Sequence, residues 1–288
     1  FMVNLKHEVQ KRGFTVAHIK TDSIKIPDAT PEIIKFVMDY GEKYGYTFEH
    51  EATYDRMCLV NNAVYIAKYK DGKHAGEWTA TGTQFQIPYV FKKLFSREEI
   101  TFEDMCETKS VTSALYLDMN EDLPDVSEYE KEYKELAGYL STTSGDGGQY
   151  ARFNELEKLI DQGHSYVFVG KVGQFCPIKS GCNGGLLLRE VIDKKTGAKS
   201  YAAATGAKGY RWLESEMVKQ LGKEDGIDRS YYDAMVDEAV HDISQYGDFE
   251  WFVSDDPYVQ PNPSDDIPPW ETPGEPWQAE PATAFDVR

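Results

Sequence analysis

The stretch HIKTDSIKI at residues 18–26 indicates a short β-hairpin with a carboxylate at its tip. Three isoleucines give the two flanking runs the β-branched character of strands. Thr21, Asp22 and Ser23 lie between these runs, and such short polar side chains hydrogen-bond the backbone of tight turns. Because a hairpin holds its turn rigidly, Asp22 can present a hard oxygen ligand to a cation such as Mg²⁺. An ordinary turn aspartate remains the alternative, since Thr-Asp-Ser turns are common.

The segments around the hairpin predict an α+β fold with an antiparallel sheet. Upstream, residues 3–12 have helical spacing and are followed by Gly13. Downstream, Thr30 is a suitable N-cap for a helix that starts at Pro31 and continues to about residue 44. Strand-like runs follow within residues 47–69. The predicted order is therefore helix, hairpin, helix and strands.

This order and the turn sequence resemble motif C of the family B DNA polymerases, a palm-domain hairpin written Tyr-x-Asp-Thr-Asp-Ser. Thr21, Asp22 and Ser23 match the second half of the motif, while Lys20 stands where its first Asp is expected. The resemblance implies that Asp22 is the catalytic metal ligand for Mg²⁺ or Mn²⁺, and that Thr21 and Ser23 shape the turn. It covers about the first hundred residues.

A second element of the resemblance concerns the primer strand. In the family, the strand after motif C ends in a Lys-x-Tyr element that holds the primer. Tyr65 matches the tyrosine, Ala63 replaces the lysine, and Lys68 is the candidate substitute. Strand alternation predicts that Tyr65 and Lys68 lie on opposite faces. The resemblance implies primer-template DNA and deoxynucleoside triphosphates as ligands of the intact enzyme.

Two motifs of the family are missing from the 288 residues. Motif A, Asp-x-x-Ser-Leu-Tyr-Pro, supplies the other metal ligand, and motif B, Lys-x-x-x-Asn-Ser-x-Tyr-Gly, supplies the lysine that binds the triphosphate; neither occurs here. Two-metal phosphoryl transfer needs at least two carboxylates as well as cations. The chain is therefore expected to be a C-terminal palm and thumb fragment of a phage-type polymerase, inactive without its N-terminal portion. The alternative is a non-catalytic replication accessory protein with a palm-like fold.

The resemblance implies a palm-like region (1–95) followed by a helical thumb-like segment (96–143). Residue patterns and composition predict a flexible linker at residues 141–148, a small α+β domain (151–253) and a disordered acidic tail (254–288). The tail holds eight of the 13 prolines. Its segment DDIPPW at residues 265–270 resembles the acidic tip of bacterial single-stranded-DNA-binding proteins, and is a hypothetical docking site for a replication partner.

Charge is distributed unevenly along the chain, whose net charge is −18. Residues 1–100 carry a net +1, whereas residues 101–150 carry −9 and residues 254–288 carry −7. The palm-like part is close to neutral, so DNA binding there is not excluded by charge. No apolar run long enough for a membrane span and no signal peptide occur, which predicts a soluble protein. The resemblance implies the cytoplasm of a phage-infected or prophage-bearing bacterial host. The four scattered cysteines favour buried, reduced thiols over a zinc site.

Overall fold

The computed structural model describes residues 1–194, 197–207 and 209–260, and the backbone of residues 282–287. The protein is α+β with two antiparallel sheets. It divides into a first unit, residues 1–100 with 233–288, and a second unit, residues 101–232. The predicted fold class is confirmed.

The described residues form nine α-helices and eleven strands, joined by short 3₁₀ turns and one π-helical turn at Lys92–Ser96. The helices are α1 (Met2–Lys11), α2 (Pro31–Lys43), α3 (Thr83–Gln86), α4 (Pro88–Phe91), α5 (Ser127–Thr142), α6 (Gly147–Asp161), α7 (Ser215–Gln220), α8 (Arg229–Ser244) and α9 (Phe249–Val253). The strands are β1 (His18–Ile19), β2 (Ser23–Pro27), β3 (Phe48–Asn61), β4 (Val64–Tyr69), β5 (Trp78–Thr81), β6 (Glu107–Asp118), β7 (Tyr166–Ile178), β8 (Leu186–Ile192), β9 (Lys199–Ala203), β10 (Arg211–Glu214) and β11 (Ala282–Val287).

A six-stranded sheet organises the first unit, in the order β1-β2-β11-β3-β4-β5. One face is covered by α1 and α2, whose apolar residues form a buried core with the sheet. The members of this core are Leu5, Val9, Ile24, Ile26, Ile33, Val37 and Phe48. The opposite face carries Tyr54, which is buried, together with Tyr65 and Tyr69. We call this opposite face the tyrosine face. Because side chains alternate along β2, Ile24 and Ile26 point toward the helices, and Lys25 between them points to the tyrosine face.

The two helices predicted around the hairpin are confirmed. Helix α1 ends just before Gly13, which has a positive φ of 87° that glycine adopts without strain. Helix α2 begins at Pro31, and the backbone N–H of Ile33 donates to the Thr30 hydroxyl at 3.4 Å. This cap satisfies one of the N–H groups that a helix start leaves unpaired.

A five-stranded antiparallel sheet, ordered β10-β7-β6-β8-β9, organises the second unit. Helices α5 and α6 form a hairpin beside each other, with the rings of Tyr133 and Phe153 stacked at 4.4 Å. The turn between these helices is closed by a capping box, in which Asp146 and Gln149 each accept from the other's backbone N–H. Large buried side chains, Phe175 and Trp212 among them, fill the core of this unit.

The structure corrects the predicted domain organisation in two places. The prediction of a helical segment over residues 96–143 is wrong for Glu107–Asp118, which is strand β6 and pairs with both β7 and β8. The prediction of a flexible linker at residues 141–148 is also wrong, because α5 ends at Thr142 and α6 begins at Gly147. Strand pairing joins residues 107–118 to residues 166–192, and α5 packs against α6. The predicted divisions at residues 96, 143 and 151 therefore do not match the two units.

The tail is only partly described. Residues 261–281 and Arg288, with the predicted docking segment at 265–270, lie outside the described residues. Within the predicted tail, Ala282–Val287 form β11 between β2 and β3. In the part of the chain that the structure describes, no helix is both long and apolar enough to span a membrane. All four cysteines are free thiols, and Cys58 and Cys176 are buried.

Candidate functional site

The predicted hairpin is present, and Asp22 lies at its tip. Strands β1 and β2 pair His18 with Lys25 and Ile19 with Ile24. The backbone N–H of Lys20 donates to the Ser23 carbonyl at 2.9 Å, which closes a loop whose two central residues are Thr21 and Asp22. Both central residues are exposed, whereas Ser23 is buried. The exposed Asp22 carboxylate is thus fixed to β2, whose first residue, Ser23, is buried.

The tyrosine face of the sheet holds a buried lysine next to the hairpin. Lys25 is only 5% exposed, and its Nζ lies 5.1 Å from the ring centre of Tyr65. An ammonium group over an aromatic face is attracted by the ring quadrupole. The Tyr65 ring in turn lies 6.4 Å from that of buried Tyr54. The structure therefore brings Tyr65, the predicted primer-binding residue, to the same face as the hairpin.

His18 lies opposite Lys25 and is also buried. Its Nε2–H donates to the backbone carbonyl of Asn62 at 3.0 Å, which assigns the proton to Nε2. Burial lowers the pKa of His18 and outweighs that hydrogen bond, while the nearby charges of Lys25 and Lys20 lower it further. The Nδ1 atom has no hydrogen-bond partner among the described residues. The imidazole is accordingly neutral at neutral pH.

Lys68 does not reach this face. Its side chain is 10% exposed and forms an ion pair with Asp255, and its Nζ lies 5.6 Å from the ring of Trp78. Along β4, Tyr65 pairs with Leu59 while Lys68 pairs with Arg56, and the odd- and even-numbered residues point to opposite sides. The predicted separation of Tyr65 from Lys68 is confirmed. Because Asp255 neutralises the charge of Lys68, the structure does not support a role for Lys68 beside Tyr65 in primer binding.

Asp22 is the carboxylate that the described residues bring to the hairpin tip. No group of three or more His, Cys, Asp or Glu side chains able to hold a metal ion occurs among the described residues. An exposed carboxylate on a closed hairpin, such as Asp22, can act as one hard oxygen ligand. In the backbone register, Asp286 of β11 pairs with Ser23.

Sequence reasoning missed Lys25 and His18 as members of the site. The signal was present in β2, where Lys25 alternates with Ile24 and Ile26 and must therefore face away from the helices. What the sequence does not contain is the reason for its burial. Its contact with Tyr65 joins residues forty positions apart in the chain and on different strands.

Comparison of the chain with protein-family models, with curated proteins and with solved structures finds no match. The function therefore has to be argued from the site itself. The relevant features are the exposed Asp22, the buried Lys25 and the Tyr65 ring on one face of an antiparallel sheet.

The burial of His18 predicts a pH-dependent stability. Its pKa is lower in the folded than in the unfolded state, so the unfolded chain binds more protons and stability rises with pH. The contribution is fully present above the unfolded pKa of about 6.5. It is lost as the pH falls through the folded pKa. We expect the free energy of unfolding of the wild type to fall more steeply between pH 7.5 and pH 5 than that of His18→Gln.

Urea unfolding at several pH values measures this difference. The matched control is His7→Gln, because His7 is an exposed residue of α1. The control should follow the wild-type pH dependence. Equal pH slopes for the wild type and His18→Gln would show that His18 does not couple protonation to folding.

Proposed function

We propose that this chain is the C-terminal palm and thumb part of a phage-type family B DNA polymerase, an enzyme that transfers nucleotides to a primer 3′-hydroxyl. The observation that carries the proposal is the position of Asp22. It lies at the exposed tip of a closed hairpin, on a sheet whose tyrosine face holds Lys25 and Tyr65. These residues combine the motif-C turn with the tyrosine of the primer element.

The proposal assigns a role to each of these residues. Asp22 supplies one carboxylate oxygen to a catalytic Mg²⁺ or Mn²⁺, which when bound neutralises charge on the transferred phosphoryl group. Thr21 and Ser23 keep the turn in shape, Ser23 by its burial. Tyr65 contacts the primer strand. Lys25 positions the Tyr65 ring through the cation–π contact, because its own side chain is almost fully buried.

Nucleotidyl transfer requires the ligands of motifs A and B in addition. The proposed activity therefore belongs to a complex of this chain with a polypeptide that carries those motifs. Primer-template DNA and deoxynucleoside triphosphates are the ligands of that complex. The predicted docking of a replication partner on the tail, by residues 264–288, stays a separate hypothesis.

Reconstitution tests the proposal. The chain is mixed with a polypeptide containing motifs A and B, either encoded upstream of Phe1 or taken from another family B polymerase and ending before motif C. We expect Mg²⁺-dependent extension of a labelled primer by the mixture and by neither component alone. The separate polypeptide is first shown to be competent with its own C-terminal part. No extension with this chain under those conditions would contradict the proposal.

The second candidate function is a non-catalytic replication accessory protein that keeps the same fold. Two observations favour it: Lys20 replaces the first aspartate of the motif, and the Lys68 charge is used by Asp255. Such a protein would bind primer-template DNA without supporting extension. The reconstitution experiment therefore separates the two candidates directly.

A further inference from the structure

Two free thiols contact each other where the second unit's strand β6 begins. The Sγ atoms of Cys106 and Cys176 lie 3.5 Å apart, although the two residues are seventy positions apart in the chain. Strand pairing accounts for the contact, because Glu107 of β6 pairs with Phe175 of β7 and the same antiparallel register sets Cys106 opposite Cys176. The register of the sheet therefore holds the two sulfurs together.

The position of this pair suits a disulfide bond. Directly opposite residues of antiparallel strands have Cα atoms about 4.5–5.5 Å apart, and disulfides span Cα separations of about 4.4–6.8 Å. The sulfurs need to approach each other by only about 1.5 Å to reach the length of an S–S bond. Rotation of the two side chains can supply this movement while the strands stay paired.

Solvent reaches the pair from the Cys106 side. Cys176 is fully buried, whereas Cys106, which follows the 3₁₀ turn Glu103–Met105, is half-buried. A buried cysteine on its own is inert, because an oxidant does not reach it. Here the half-buried sulfur contacts the buried one, so oxidation at Cys106 can pass on to Cys176.

The hydrogen bonds of the two thiols differ, and the difference determines which sulfur reacts first. The S–H of Cys106 donates to the Phe102 carbonyl at 3.3 Å, so Cys176 is the donor and Cys106 the acceptor between the two sulfurs. Burial raises the pKa of both thiols, but their hydrogen bond lowers the pKa of Cys106 and raises that of Cys176. Cys106 therefore forms the thiolate, the reactive form of cysteine, more readily than Cys176.

We propose that Cys106 and Cys176 are an oxidation site, at which a peroxide converts the two thiols into a reversible disulfide. The bond joins the start of β6 to β7, and Cys176 in turn pairs with Leu213 of β10. Because a disulfide restricts the unfolded chain, oxidation should raise the urea midpoint of the second unit by about 1–2 M. This inference does not depend on Asp22 or on the polymerase assignment.

The reaction proceeds in two steps. The Cys106 thiolate attacks one oxygen of hydrogen peroxide, the O–O bond breaks, and a sulfenic acid forms at Cys106; the departing hydroxide takes up the thiol proton and becomes water. The Cys176 sulfur then attacks Sγ of Cys106, the S–O bond breaks, and the departing hydroxide takes the Cys176 proton as a second water. The two thiols lose two electrons, and one peroxide is reduced to two waters.

Peroxide treatment of the folded full-length chain tests the proposal, at mildly alkaline pH so that more thiolate is present. A free-thiol assay and mass spectrometry of peptides prepared without reductant are the measurements. We expect the four free thiols to fall to two, with Cys106 joined to Cys176, and dithiothreitol to restore all four. In concentrated urea the preference for this pair should disappear, because the fold creates it.

Variants identify the role of each sulfur. Cys106→Ser should form no cross-link and gain no resistance to urea on oxidation. In Cys176→Ala the sulfenic acid has no thiol to condense with, so dimedone should label Cys106. Cys182→Ser is the matched control and should form the cross-link as the wild type does, because Cys182 is another free, half-buried cysteine of the second unit.

Several results would overturn the proposal. Sulfinic acid at Cys106 without a cross-link would show that the two sulfurs do not condense in the folded chain. A cross-link through Cys182 or Cys58, or one between two chains, would exclude the pair as the oxidation site. Four unchanged thiols, under conditions that oxidise free cysteine, would do the same. Dimedone labelling of Cys176 in Cys106→Ser, equal to that of Cys106 in Cys176→Ala, would contradict the assignment of Cys106 as the attacking sulfur.

Discussion

In the reconstituted extension reaction, Asp22→Asn is expected to lose about a thousandfold or more of the wild-type rate. The substitution keeps the size and turn preference of the side chain but removes the charge that holds a metal ion. A thousandfold loss corresponds to about 4 kcal/mol of transition-state stabilisation, the scale expected for a metal that neutralises a transferring phosphoryl group. Because Asp22 is exposed at the tip, the fold should be unaffected. Primer extension at saturating Mg²⁺ measures the loss.

Asp28→Asn is the matched control. Asp28 is an exposed acid just after β2, and its φ of 54° lies in the left-handed region that asparagine tolerates well. The control removes the same charge six residues away and should retain the wild-type rate within about twofold, as expected for a surface substitution away from the site. A wild-type rate for Asp22→Asn would reject Asp22 as the metal ligand. An equal loss in both variants would point to a general charge effect.

The elements of the first unit that the sequence predicts are those with local signals. The turn at residues 21–23, the cap at Thr30 and the helical spacing of α1 and α2 all depend on neighbouring residues, and all are found in the structure. Strand β11 has no such signal, because Ala282–Val287 follows a proline-rich acidic stretch. Its place depends on pairing with β2 and β3, which lie more than two hundred residues away in the chain.

The candidate site shows the same division between local and distant information. Asp22 is identified by its turn, and alternation along β4 correctly separates Tyr65 from Lys68. The burial of Lys25 under Tyr65 and the pairing of Lys68 with Asp255 depend on distant contacts. Strand β6 is a different case. The helical prediction for residues 96–143 comes from the resemblance, which places the polymerase thumb there, and not from the local pattern of Glu107–Asp118.

Trp212→Ala is expected to destabilise the second unit by about 3–5 kcal/mol, the cost of removing a buried tryptophan from a core. Trp212 is fully buried, its indole N–H donates to the Ala207 carbonyl at 3.2 Å, and its ring meets that of Tyr231 edge-on at 5.3 Å. The Nζ of Lys109 lies 4.8 Å from the ring centre. Truncation removes all three contacts and leaves a cavity beside β10.

Trp212→Phe separates the packing contribution from the hydrogen bond. It keeps a ring against Tyr231 but removes the indole N–H from the Ala207 carbonyl, which still accepts from the Tyr210 N–H at 3.4 Å, so a smaller loss of about 0.5–1.5 kcal/mol is expected. The exposed control Tyr139→Ala should change stability by less than about 0.5 kcal/mol. Urea unfolding, monitored by the exchange of backbone amides within residues 101–232, measures these differences in the stability of the second unit. Equal losses for the two Trp212 variants would assign the whole effect to the hydrogen bond, because only the alanine variant loses the ring.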